Sequence, residues 1–341
     1  MLAVPNRTTI MPNPSPTAKD RVRTLLPFVG AAILIAVFAA TTNWTKTLAA
    51  MRSADIVQFL AVMVPSTLLV WAYDSLCLAW LVRQTLGHRG QPGGDSVRAL
   101  APLKAASYLL NMLNYHAAAL GMAFLVSRRK QVPFLEAAGA LALLSYMDII
   151  AVTAMAMCGI WLAPDFFGPY PALQAWLKSM ALLVFSGALT SVLVLQSGWR
   201  QPWLERLRNL PPLRPLAALR PSRMLVGLGL RAVLIGIYTL TVWLLVQAFG
   251  MTPTWGRLLV AMPIITVVGT LPISVSGVGS TQVLMRSFYG PFVHDGRDPA
   301  AVIDAFSTVY IVAGIAARLV IAAPFFRRIS AELRTKPASD G

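Results

Sequence analysis

A chain of 341 residues with 57% apolar and only 12% charged side chains belongs in lipid, since a soluble domain carries about a quarter charged residues. The formal net charge of +16 would suggest nucleic acid for a soluble protein. Here the basic residues cluster in loops beside apolar spans, so positive-inside topology explains them and nucleic acid is not an expected partner.

Residues 1–24 are rich in proline and polar side chains and read as a disordered N-terminus. Their basic end leads into TLLPFVGAAILIAVFAATT, which lacks an A-x-A-type cleavage site and reads as an uncleaved first helix. Eight apolar segments follow one another at 25–42, 57–82, 99–126, 134–162, 175–196, 224–249, 258–290 and 300–325. Their length points to helices and not to a barrel. The polar stretches 1–24, 197–223 and 326–341 are too short for a soluble core. Cys77 and Cys158 lie in apolar spans and imply no disulfide framework. With three histidines they give no metal-ligand spacing, so neither metal nor cofactor is expected.

Eight full crossings conflict with the charges. They would place SRRKQVP (127–133) and the six arginines of 197–223 outside, and the uncharged-by-cation loop 163–174 inside. If 99–126 and 258–290 instead enter and leave on one side, twenty of the 29 lysines and arginines become cytoplasmic and four external. The expected fold is therefore an all-α integral membrane protein with about six crossings and two re-entrant helical hairpins. Residues 25–162 read span, span, hairpin, span, and 163–325 read the same. Each half makes an odd number of crossings, so the second is inverted, as in many secondary transporters. Both termini, including the tail 326–341, are expected in the cytoplasm of a bacterium, and the chain in its inner membrane.

The second hairpin carries TLPISVSGVGSTQV, residues 270–283. Pro272 ends a half-helix, and Gly277 and Gly279 permit a tight reversal. Ser280, Thr281 and Gln282 then open the second half-helix, where free N–H groups, the dipole and the hydroxyl of Ser276 suit an anion such as a lipid phosphate. The same residues equally suit a packed structural tip, and spacing leaves both readings open. In the first hairpin Lys104, Asn111, Asn114 and His116 are polar at depth. Lys104 can snorkel to the interface, and His116 reads as a neutral core histidine more than a relay. Among the other intramembrane charges, Asp148, Arg286 and Arg318 are expected to form a buried network. Asp74 is a further charge within a span, and Arg231, Asp304 and Lys178 are expected at interfaces.

LPISVSGVGSTQVLMRSFYG resembles the signature of the lysylphosphatidylglycerol synthase transmembrane-region family, which includes the membrane domain of the multiple peptide resistance factor. NYHAAALGMAFLVSRRKQVPFLEAAGALALLSYMDII resembles that family's first-half stretch. The resemblance assigns Arg128, Arg129 and Asp148 to the first-half motif, and Pro272, Gly277 and Gly279 to the later one. Thr281 and Gln282 stand where the family has Arg-Glu, and Ser145 and Tyr146 stand where it has Glu-Arg.

The family is associated with moving or presenting lipids, among them aminoacylated phosphatidylglycerol, hopanoids and polyprenyl-linked glycolipids. The headgroup-synthesising module of its bifunctional members is a separate soluble domain that this chain lacks, so synthesis is not expected. The resemblance implies a lipid flippase acting on an anionic or phosphate-bearing headgroup. One alternative is a lipid-holding partner of another membrane protein, such as a separate lipid-synthesising enzyme or a second copy of the chain. An enzyme on lipid-linked substrates is the weaker alternative, because only Asp148 and His116 could serve at depth.

Overall fold

The computed structural model describes residues 42–87, 94–113, 115–167, 171–197, 201–270 and 280–334, with positions 36, 39, 40 and 199 besides. Every regular element among them is helical. In chain order these are α1 (Trp44–Ser53), α2 (Ile56–Leu86), α3 (Val97–Leu113), α4 (Tyr115–Lys130), α5 (Phe134–Leu162) and α6 (Pro171–Gln196). Then follow α7 (Pro202–Asn209), α8 (Arg214–Ala218), α9 (Pro221–Gln247), α10 (Trp255–Thr270), α11 (Ser280–Tyr289) and α12 (Pro299–Arg334). Among the described residues, α2, α5, α6, α9 and the Pro299–Phe325 part of α12 are long and apolar enough to cross a membrane. The expected N-terminus 1–24 and nearly all of the expected first span, 25–42, fall outside the described residues. The expected tail begins as helix, because α12 runs on to Arg334.

Local chemistry sets several boundaries. The Asp55 carboxylate accepts from Gln58 N at 2.8 Å and caps α2, satisfying an N–H that has no partner inside the helix. Pro221 opens α9, where its fixed φ suits the first turn and its missing donor costs nothing. Between α4 and α5 the chain turns at Gln131, at φ 51°, and Pro133 then precedes the first residue of α5.

The two segments expected to turn back both do so. In the first, Arg129 near the end of α4 donates to the carbonyl of Ala99 near the start of α3. A Cβ on Gly121 would lie 2.5 Å from Leu110 Cδ1, so α4 folds closely along α3. In the second, the Tyr289 hydroxyl at the end of α11 reaches Met262 Sδ of α10 at 3.3 Å. Each pair therefore begins and ends at one end of the bundle. A single pass through either segment is ruled out.

The packing repeats itself under exchange of the halves. The equivalent helices α2 and α9 pack against each other. They run antiparallel, with Phe59 on Phe249 at one end and Cys77 beside Leu230 toward the other. The last span of each half lies on the first hairpin helix of the other, α5 on α10 and α12 on α3. Equivalent helices pointing in opposite directions are what inversion requires.

Glycine permits the closest of these approaches. A Cβ on Gly159 of α5 would stand 2.7 Å from Val260 N of α10, and one on Gly256 would stand 2.7 Å from the Cβ of Ala163. Small residues let the two backbones touch, which is how helices associate without a hydrophobic drive in lipid.

Two large apolar cores result, one toward each end, with a small cluster of Ile160, Phe167 and Val260 besides. The first gathers Leu81 and Val82 of α2, Leu100 and Leu103 of α3, Val126 of α4 and Leu143 of α5. The second gathers Phe59, Leu245 and Val246, Leu258, Tyr289 and Phe306. Buried charges lie among both, Asp74 and Asp148 beside the first and Asp304 within the second.

Candidate functional site: a buried charge cluster between the halves

Four helices deliver four charges to one place. Asp74 comes from α2, Lys104 from α3, Asp148 from the centre of the 29-residue α5, and Arg231 from α9. Lys104 Nζ lies 2.7 Å from Asp74 Oδ2, and Arg231 Nη1 donates to Asp74 Oδ1, also at 2.7 Å. The other edge of the same guanidinium grips Asp148 bidentately, Nη2 on Oδ2 at 2.6 Å and Nε on Oδ1. Asp74 and Arg231 are buried, while the Asp148 side chain keeps 28% of its surface exposed.

Two cations against two carboxylates make this quartet neutral. Neutrality lets it persist, because an isolated charge at helix centre costs about 2.5–3.5 kcal/mol on insertion scales. The planar fork of arginine can serve two carboxylates at once, which a lysine at Arg231 would not do with the same geometry.

A second pair lies toward the opposite end. Arg286 of α11 binds Asp304 of α12 through Nε and Nη2, each at 2.5 Å. Thr42 completes a triangle: its Oγ1 accepts from Arg286 Nη2 at 3.0 Å and donates to Asp304 Oδ2 at 3.2 Å. Asp304 is buried. The pair ties the second hairpin to the last span and to the residues just before α1. Nearby, outside the spans, Lys46 hydrogen-bonds Asp298 at 3.0 Å and holds its carboxyl below the usual range.

Beside the quartet, Arg318 of α12 is half-buried. Among the described residues no hydrogen bond or ion pair engages it. Its helix packs on α3, the helix of Tyr108. The Tyr108 hydroxyl is buried without a hydrogen-bond partner, and Lys104 Nζ stands 6.0 Å above the Tyr108 ring.

The expected network of Asp148, Arg286 and Arg318 is therefore not formed. Asp148 pairs with Arg231, Arg286 pairs with Asp304, and Arg318 forms an ion pair with neither carboxylate. Arg231 and Asp304, expected at interfaces, are buried at 7% and 1% exposure. Lys104 does not snorkel away but meets Asp74. Arg231 had a readable signal: a helix beginning at Pro221 puts it about 15 Å into the span. Asp304 had none, because burial of a near-terminal residue depends on the hairpin laid over it.

The remaining expected residues are dispersed or undescribed. Arg128 sits 4.8 Å from the Phe124 ring centroid and Arg129 on the Ala99 carbonyl, both at the C-terminal end of α4 where cations suit the dipole. Thr281 is half-buried and Gln282 buried in α11. Ser280 begins α11, and His116 is in the first turn of α4, but their side chains lie outside the described residues. So do Asn114, Ser276, Gly277 and Gly279 entirely, and with them the expected anion site at the hairpin tip. Among the described residues no three of His, Cys, Asp and Glu converge as a metal site would require.

Residues 24–329 match the family model described as the lysylphosphatidylglycerol synthase TM region. No curated protein and no solved structure matches the chain. With that match running over most of its length, the chain belongs to the lysylphosphatidylglycerol synthase transmembrane-region family.

Proposed function

We propose that this protein is a lipid transporter that carries a polar headgroup between leaflets, past the charge cluster where its two halves meet. The observation that carries the reading is the quartet of Asp74, Lys104, Asp148 and Arg231 at the junction of α2, α3, α5 and α9. Charges at that depth are costly, and their usual justification is a polar path. The inverted packing of the halves supports the same reading, since a site between inverted repeats can open alternately to either side. Partial exposure of Asp148 and Lys104 leaves the cluster reachable. On this reading the chain makes and breaks no bond, the basic end of the bundle faces the cytoplasm, and the membrane is the bacterial inner one.

The test is leaflet exchange of labelled lipids in liposomes containing the purified protein, with and without an imposed pH gradient. The lipids would carry anionic, aminoacylated, hopanoid and polyprenyl-phosphate headgroups. Headgroup-selective exchange above protein-free liposomes is expected. Exchange no faster than in those liposomes under either condition would overturn the reading.

A further inference from the structure

The charges of the central cluster do not cancel once Arg318 is included. Asp74 and Asp148 supply two negative charges, whereas Lys104, Arg231 and Arg318 supply three positive ones. Arg318 lies within the apolar Pro299–Phe325 part of α12, about 13 Å along the helix from Arg327. Its helix packs on α3, which brings Tyr108 and Lys104 to the same junction. Trp71 of α2 donates to the Ala101 carbonyl of α3, and its ring centroid lies 5.8 Å from that of Phe325 of α12. Two turns further along these antiparallel helices, the unpartnered Tyr108 hydroxyl and the unpaired Arg318 come to one level. Both deficits are of the same kind, and one ligand could meet both.

We propose that Arg318 and the Tyr108 hydroxyl form an anion subsite for a singly charged phosphate group, whether of a lipid phosphodiester or of free phosphate. One negative charge restores neutrality to the cluster. A tetrahedral oxyanion has acceptors enough for the planar guanidinium fork and for a separate phenol donor, a demand that a small spherical anion does not meet. Tyr238 of α9 keeps 40% of its surface accessible. A lipid could therefore present its headgroup sideways while its chains stay in the bilayer. The subsite deepens the transport reading and rests on it for its biological use, but its ligand chemistry can be tested separately.

The experiment measures binding to the full-length protein in detergent by native mass spectrometry and by intrinsic fluorescence. The probes are phosphatidylglycerol, a glucosyl diacylglycerol without phosphate, and inorganic phosphate as competitor. The variants are Arg318→Met and Tyr108→Phe. Phosphatidylglycerol should bind and the glucosyl lipid should not. Arg318→Met should weaken phosphatidylglycerol binding about tenfold or more, and Tyr108→Phe should weaken it a few-fold.

Thermal unfolding separates this role from a structural one. Removing an unpaired charge should leave Tm unchanged or raised while affinity falls. An arginine that only supported the fold would lower Tm. Competition by inorganic phosphate, lost in Arg318→Met, supports the subsite with either source of phosphate. Arg318-dependent lipid binding without competition supports it with the lipid as the source. Wild-type affinity in both variants, or equal binding of the glucosyl lipid, would overturn the proposal. If leaflet exchange is absent while binding depends on Arg318, the transport reading fails and the subsite stands.

Discussion

Arg231 holds Asp148 with two nitrogens and Asp74 with a third, joining α9 to α5 and α2 through one guanidinium. The quartet lies where the antiparallel pair α2 and α9 crosses, beside the first apolar core. Its neutrality makes its response to substitution specific.

Asp74→Asn leaves Lys104 without its carboxylate and the quartet with one excess positive charge. Breaking a buried pair by removing one partner typically costs about 3–5 kcal/mol. Adding Lys104→Met restores one cation to one carboxylate, so the double variant should recover much of that loss. Thermal unfolding of the three proteins in detergent is the check. A double variant less stable than Asp74→Asn would show that charge balance does not govern the cluster.

The Arg286–Asp304 pair should behave in the same way on its own. Arg286→Met or Asp304→Asn alone leaves a charge at a buried position, with an expected loss of about 3–5 kcal/mol. The two together should cost clearly less than the sum, giving a coupling energy of about 0.5–3 kcal/mol in a double-mutant cycle. Strict additivity would mean that the contact contributes nothing to stability.

Gly159 tests the seam between the halves. Gly159→Val drives a branched side chain into the α10 backbone at Val260, where even one carbon would stand at 2.7 Å. Overpacking of this kind costs about 1–3 kcal/mol or more. Gly187 on α6 has nothing within 4 Å of an added Cβ. Gly187→Ala should therefore be neutral or stabilising by up to about 1 kcal/mol. Equal effects at the two glycines would contradict the close approach of α5 and α10.

Orientation can be read by labelling. Trp199, in the basic stretch after α6, and Asp295, in the loop before α12, are both exposed. In a background with Cys77→Ala and Cys158→Ala, an impermeant thiol reagent added outside intact cells should label Asp295→Cys and spare Trp199→Cys. The reverse pattern would invert the proposed topology.

Much of the fold was legible because its signals are local. Hydropathy run length marks α2, α5, α6 and α9. The placement of arginines beside spans forces the segments 99–126 and 258–290 to turn back. Asp148 was legible as a functional candidate because it sits at the centre of an apolar span, too far from either end to reach water. The depth of Arg231 was legible from Pro221 as well, but its pairing with Asp148 was not, since the two lie 83 positions apart on different helices.

The sequence by itself determined a helical membrane protein in two inverted halves, each with a hairpin, because apolar length and loop charge act along the chain. Only the tertiary structure decided which charges meet. Arg231 finds Asp148 across 83 positions and Asp74 across 157, and Arg286 finds Thr42 across 244. Such pairings depend on which helix faces the packing brings together, and no periodicity within a single helix encodes that. The same packing leaves Arg318 without a protein anion among the described residues, and Tyr108, on the helix packed against it, with a hydroxyl that lacks an acceptor.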